Sequence, residues 1–268
     1  MKIGDIVGRI SYNMDTMFRI ERIEGDIVYL KGTFVRLMAD AHLSDLELIS
    51  EHDLRQAELD DAKHYEVFAP VSGRSDRLTP IGLGDDFYIS GRILHIDGDN
   101  GYLSKSDKLY KSANVYASTF FIEERLMPSQ VPDLVRKLRP NIVVITGHDS
   151  LDKKSKTDDL KGYKSSKFFV DTVNELRKLE PALDCLIIIA GACQSHFEAL
   201  IGSGANFASS PKRINIHALD PAIVAATVAL TPYEDQVDLK EAIEKTITKI
   251  AGIGGLQTKG TLRYGIKS

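Results

Sequence analysis

Ile142-Val143-Val144-Ile145-Thr146-Gly147-His148-Asp149 decides the reading of this chain. Four apolar, largely β-branched residues follow one another without polar alternation, the signature of a strand covered on both faces. A glycine, a histidine and an aspartate come directly after it. Leu186-Ile187-Ile188-Ile189-Ala190 repeats the pattern and runs into Gly191-Ala192-Cys193-Gln194-Ser195-His196. Upstream, Ile93-Leu94-His95-Ile96 runs into Asp97-Gly98-Asp99. Amphipathic stretches near 102–111, 130–138 and 167–178 separate these blocks, with a further apolar run at 115–122. Strand alternating with helix predicts an α/β fold whose mostly parallel sheet carries helices on both faces. A last strand is expected at 214–219, after a short helix at 195–201. Asp220-Pro221 marks a helix start running through residue 230, and Asp238 a second one toward 250. Gly252-Ile253-Gly254-Gly255 reads as a turn-rich tail.

Residues 1–50 have a different texture. Short apolar runs end at Gly8, Glu24-Gly25-Asp26 and Lys31-Gly32, a spacing that predicts a small SH3-like β-barrel. Such barrels grip RNA, peptides or a neighbouring domain, and equally serve as plain packing modules, so no residue here is a site candidate. From 51 to 90 the chain is polar and punctuated by Pro80, Gly82 and Gly84, and reads as a linker or insertion; the α/β domain then occupies 91–268.

The whole chain has 268 residues, against about 150 for a typical domain, which fits one large domain with a small appendage. Hydrophobic residues make up 43% and charged residues 27%, which excludes collagen-like, coiled-coil and wholly disordered chains. Thirty-four basic residues against 38 acidic ones leave a net charge of −4, so no excess of cations favours nucleic acid or an anionic membrane. Two cysteines, Cys185 and Cys193, form no disulfide framework and suit a reducing compartment. The first residues carry no signal-peptide core and no run is long enough to span a bilayer, so a cytoplasmic protein is expected.

In open α/β sheets, ligands gather at the carboxyl ends of the strands, where this sequence puts an acid, an imidazole and a thiol. Cys193 lies in a small-residue turn ahead of a helix start, a setting that favours thiolate. His148 is placed to take the thiol proton and return it to a leaving amine. The backbone amides of Cys193 and Gly147 are candidates for an oxyanion hole. Cys185 opens an apolar strand and is expected in the core. Asp149 reads either as a carboxylate that orients the imidazole or as a loop cap, and capping is favoured. His196 is expected to cap or pack, and His95, between Leu94 and Ile96, to be a satisfied core histidine. His42, His52 and His64 show no ligand spacing, so neither metal nor cofactor is expected. The polar loop 149–166 is long enough to be mobile and to fold over a substrate.

An apolar block ending in His and a second ending in Ala-Cys resemble the caspase-like cysteine peptidases. More closely, Ile145-Thr146-Gly147-His148-Asp149, Ala190-Gly191-Ala192-Cys193-Gln194-Ser195-His196, Ala205-Asn206-Phe207-Ala208-Ser209-Ser210-Pro211 and His217-Ala218-Leu219-Asp220-Pro221 resemble the YabG family of sporulation peptidases. The resemblance spans the N-terminal barrel to the glycine-rich end. It implies a caspase-like fold and a protease of spore coat and related proteins in the mother cell, with Cys193 as nucleophile and His148 as its base. It also implies cleavage after arginine, whose guanidinium wants a bidentate carboxylate. Asp97, with Asp99 second, stands where several caspase-like enzymes keep that acid, and Asp220 is a third candidate; Asp97-Gly98-Asp99 also suits a plain turn. His148 is followed by Asp149 where many relatives have glycine. Two rivals stand beside this reading. One is a glutaminase-like amidotransferase or thiol hydrolase using Cys193 with His217, and the other a non-catalytic assembly protein.

Overall fold

The structure, a computed structural model, describes residues 1–68, 86–152 and 154–266. The chain divides into two compact units, Met1–His64 and Tyr65–Ser268. The first is a five-stranded antiparallel sheet of β1 (Ile6–Arg9), β2 (Phe18–Glu24), β3 (Ile27–Gly32), β4 (Met38–His42) and β5 (Leu46–Leu48), ordered β4-β3-β2-β1-β5, followed by helix α1 (Glu51–Lys63). Alternation drives it: Phe18, Ile20, Val28 and Leu30 turn inward to meet Val7, Ala41 and Leu46. Gly25, at φ +59°, supplies the left-handed residue of the tight β2–β3 turn that pairs Glu24 with Ile27.

Within the stretch read as linker or insertion, α1 is fully helical although none of its residues is buried. Its start is legible in chemistry: the Ser50 hydroxyl accepts from the Asp53 amide at 3.1 Å and donates to the Asp53 carboxylate at 2.7 Å. Without an apolar stripe, periodicity gives no signal for the helix body. The same stretch ends in β6 (Asp86–Ile89), which pairs with the C-terminal β13 (Arg263–Ile266). Pro80, Gly82 and Gly84, the breakers on which the linker reading leaned, lie outside the described residues.

The second unit contains, in chain order, β7 (Ile93–Asp97), α2 (Asn100–Ser112), β8 (Ala117–Phe121), α3 (Met127–Leu138), β9 (Ile142–Thr146), α4 (Ser166–Leu179), β10 (Ile187–Ala190), α5 (Phe197–Gly202), β11 (Phe207–Ser209), α6 (Asp220–Leu230), α7 (Leu239–Glu244), α8 (Lys249–Gly252) and β12 (Ile253–Gly255). They build a six-stranded sheet ordered β12-β11-β10-β9-β7-β8, parallel except for β12. The unbroken apolar runs are explained by two cores. Ile142, Val144, Ile187 and Ile189 pack on one face with α6 and with Leu109 and Tyr110 of α2. Val143, Ile145 and Ile188 pack on the other, with Val131 and Val135 of α3 and Phe169, Val173 and Leu176 of α4. Full burial of such a side chain stabilises by about 1.5–3 kcal/mol.

Four expectations are corrected. Residues 214–219 form none of the strands: the Ile214 carbonyl accepts from the Gln194 amide at 3.0 Å and the Ile216 amide donates to the Cys193 sulfur, so these two residues bond to the cysteine turn. The sheet is extended instead by β11 and by β12, from the stretch read as a tail. There Gly255 is needed because a Cβ would collide with Phe207 on β11. Cys185 is exposed, in a turn where its amide bonds to the Ala182 carbonyl two residues before β10 begins. The helix begun by Asp238, whose carboxylate accepts from the Glu241 amide at 3.0 Å, breaks into α7 and α8 around Thr246 to Thr248.

Candidate active site

Register brings the candidate residues to one edge. β9 and β10 run parallel with Ile145 opposite Ala190, and His148 and Cys193 each follow three residues later. β7 lies on the other side of β9, with Asp97 opposite Thr146. The ladder persists past the strands: the Gly191 amide donates to the Ile145 carbonyl and the Gly98 amide to the Thr146 carbonyl, both at 3.0 Å. Three neighbouring strand ends therefore present Asp99, His148 and Cys193.

The cysteine turn is closed by local chemistry. Gly191 sits at φ +106°, where a Cβ would also stand 2.8 Å from Leu200, so only glycine fits. The Ala192 amide donates to Ser195 Oγ at 2.9 Å, and Gln194 adopts a left-handed conformation at φ 56°. Cys193 is 1% exposed, and the Ile216 amide donates to its sulfur at 3.2 Å. α5 begins only at Phe197, with His196 as its N-cap, and the sulfur bonds to Ile216, whose carbonyl also accepts from the thiol at 3.8 Å.

His148 stands between two carboxylates. Its Nε2 is 3.5 Å from Asp99 Oδ2 and its Nδ1 3.9 Å from Glu124 Oε1, and its ring faces Tyr102 with centroids 5.8 Å apart. Its backbone amide donates to Glu124 Oε1 at 2.8 Å. Both carboxylates stand within ion-pair distance of the ring. Asp99 meanwhile caps α2, its Oδ1 accepting from the amides of Gly101 and Tyr102.

Asp149 ties the loops together. Its carboxylate accepts from the amides of Ser150 (2.9 Å) and Ser165 (2.7 Å), from the Ser166 hydroxyl, and from the Ser195 hydroxyl at 2.9 Å. Burial raises its pKa, and those hydrogen bonds oppose the rise. This is the capping role, extended so that one carboxylate joins the His148 loop, the start of α4 and the cysteine turn.

Asp97 and Asp220 have no accessible surface. Asp97 Oδ1 accepts from the Asp99 amide at 2.9 Å and its Oδ2 lies 3.8 Å from His95 Nε2. Asp220 accepts from the amides of Ile247 and His217 and from the Thr248 hydroxyl; burial raises its pKa, opposed by Thr248 and then by His217. His217 is buried beside the thiol's partner Ile216, and its Nδ1 accepts from the Leu219 amide at 3.2 Å. His196 caps α5 and packs on Tyr163, and His95 is buried against the Tyr110 hydroxyl.

The 149–166 loop is held by the antiparallel pairing of Leu151 with Tyr163 and by Arg213, whose Nε donates to the Tyr163 hydroxyl and whose guanidinium also pairs with Glu198. Glu124 and Ile216 are the site residues that reading the sequence missed. The one signal for Glu124 is indirect, namely glycines at both 98 and 147 where its carboxylate must fit. Among the described residues, no cluster of three or more His, Cys, Asp or Glu is arranged to hold a metal ion, and no helix is long and apolar enough to cross a membrane. A cavity of about 600 Å³ lies at the opposite, amino ends of β7 and β8, lined by Arg92, Ile93, Val115, Tyr116 and others, and contains none of these groups.

A relative, the sporulation-specific protease YabG of Bacillus subtilis (strain 168), is 40% identical over an alignment of 289 residues that covers 99% of this chain and 97% of that protein. The family model described as YabG peptidase U57 matches residues 2–267, which takes in both compact units and every strand end that carries a candidate residue. A match of that extent assigns the family outright: the chain belongs to the YabG peptidases.

Proposed function

We propose that this peptidase is a cysteine endopeptidase of sporulation in which Cys193 is the nucleophile and His148 the general base. The observation that carries the reading is the shared register, which sets His148 and Cys193 three residues beyond a paired position on adjacent parallel strands. In the proposed reaction His148 takes the thiol proton and the sulfur attacks the scissile carbonyl. The amides of Cys193 and Gly147 receive the developing oxyanion, and His148 then protonates the leaving amine. Water, deprotonated by the same imidazole, releases the acyl group. Proton transfer by a placed base contributes about 10²–10⁴-fold and each oxyanion donor about 10²–10³-fold. Cys193 is 1% exposed and its sulfur accepts from the Ile216 amide, so reaction requires the thiol to become accessible to substrate.

Further parts of the proposal are cleavage after arginine, spore coat and related substrates, and action in the mother cell; the similarity to the sporulation-specific protease of Bacillus subtilis supports the sporulation context. Of Asp97, Asp99 and Asp220, Asp99 is favoured as the arginine partner because it alone keeps some accessible surface, 8%. A caspase-like arrangement of the large unit and an SH3-like barrel for the first 50 residues belong to the same reading, supported by the parallel strand order and the small antiparallel sheet.

A thiol hydrolase using His217 is a second reading, favoured by the Ile216 amide bond that sets His217 beside the sulfur's partner. Against it, Nδ1 of His217 accepts a hydrogen bond, so the neutral ring carries its proton on Nε2 and lacks a free basic nitrogen. Separate replacement of each histidine by alanine, assayed on a peptide library by mass spectrometry, tests both. The dyad predicts that His148→Ala loses about 10²-fold or more while His217→Ala retains most activity. The reverse result selects the second reading, and cleavage surviving Cys193→Ala removes both.

A further inference from the structure

Glu124 lies in the turn between β8 and α3, and its side chain reaches over the ends of β7 and β9. A Cβ at either Gly98 or Gly147 would fall against its Oε1, inside van der Waals contact, so the two glycines form the crease that the carboxylate occupies. The same Oε1 accepts from the His148 amide at 2.8 Å and stands 3.9 Å from His148 Nδ1. Among the described residues no lysine or arginine is paired with it, while neighbouring Glu123 pairs with Arg125. A carboxylate only 19% exposed is thus directed at one loop and one imidazole.

We infer that Glu124 is a positioning residue, anchoring the His148 loop through the backbone amide and facing the imidazolium that forms when the cysteine loses its proton. The inference rests on the proposed role of His148. Asp99 at the start of α2, Tyr102 one turn along and Glu124 face that ring, while the oxygens of the adjacent Asp149 are taken up by Ser150, Ser165, Ser166 and Ser195. Glu124 thus meets both the main chain and the ring of His148.

The two roles separate by substitution. Glu124→Gln keeps an acceptor for the amide and loses the charge; Glu124→Ala loses both. Gly98→Ala displaces the carboxylate without touching His148, and its effect should vanish once position 124 is alanine. With the full chain and an arginine-containing quenched peptide, Glu124→Ala should lower kcat about 10–100-fold, as misplacing a reacting group does, with KM within about twofold. Glu124→Gln should recover most of that loss and move the acidic limb of the pH profile to lower pH. Gly98→Ala should lower kcat in the parent but not in the Glu124→Ala background.

Wild-type kcat in Glu124→Ala, or an equal effect of Gly98→Ala in both backgrounds, overturns the inference. His148→Ala run alongside separates the failures: activity surviving there sinks the proposed base, whereas activity lost there but kept in Glu124→Ala sinks only this inference. The NMR titration of the His148 ring in the parent and in Glu124→Gln gives an answer independent of turnover. Its midpoint should fall in the variant, and an unmoved midpoint overturns the charge role.

Discussion

Asp149 shows how one side chain holds a site that its neighbours operate. Four donors converge on its carboxylate from the turn after His148, the start of α4 and the cysteine turn. Asp149→Ala strands several buried donors, each costing about 1–3 kcal/mol, so a loss of at least about 3 kcal/mol is expected in urea unfolding, together with lower kcat at unchanged substrate preference. The two cysteines give a second residue-scale test. Cys185 is exposed while Cys193 is 1% exposed, so without substrate an alkylating reagent should label Cys185 first. Labelling of Cys193 first, read by mass spectrometry, would contradict the burial of its thiol. Cys193, His148 and Asp149 were all legible as residues because each follows an unbroken apolar run. Glu124 was not, because nothing in Phe121-Ile122-Glu123-Glu124-Arg125 distinguishes a carboxylate directed at a histidine from one directed at water.

Elements met through buried polar contacts carry a different kind of information. Arg177 on α4 donates to the carbonyls of Gly204, Glu180 and Leu186 and to Asn206 Oδ1, and Asn206 Oδ1 also accepts from the Ile188 amide at 2.9 Å. This clamp joins α4, the amino end of β10 and the approach to β11. Arg177→Ala should lower stability by about 2–4 kcal/mol, because several buried acceptors lose a charged donor together. It should leave kcat per folded molecule unchanged, since the clamp lies at the opposite end of β10 from Cys193; a fall in specific activity at full folding would contradict that separation. The strands with continuous apolar runs could be placed from the sequence because both their faces are covered. β11 and β12 could not. With three residues each, one of them glycine-rich, they acquire strand geometry only from hydrogen bonds to β10 and to each other. Conversely 214–219 is apolar enough for a strand, yet Ile214 and Ile216 bond to the cysteine turn.

For the whole molecule, Asp149 and Asp220 set a pH dependence whose sign is fixed by burial. Both folded-state pKa values are raised, first by desolvation. The stability each contributes is full below the ordinary aspartate value of about 4 and is lost as pH rises through the folded value. Asp220→Asn removes one such group, so the gap in unfolding midpoint between parent and variant should narrow as pH rises from about 4 to neutrality; a widening gap would contradict the raised value. By itself the sequence determined that a mostly parallel α/β sheet follows a small β-unit, and that a histidine and a cysteine end two of its strands. Both rest on periodicity, because burial on two faces selects residue type at every position of a strand. Only the tertiary structure decided the order β12-β11-β10-β9-β7-β8, the bond of the Ile216 amide to the Cys193 sulfur, and the meeting of Glu124 with His148. The last two join positions far apart in the chain through single hydrogen bonds, and a single hydrogen bond leaves no periodic trace in the residues beside it.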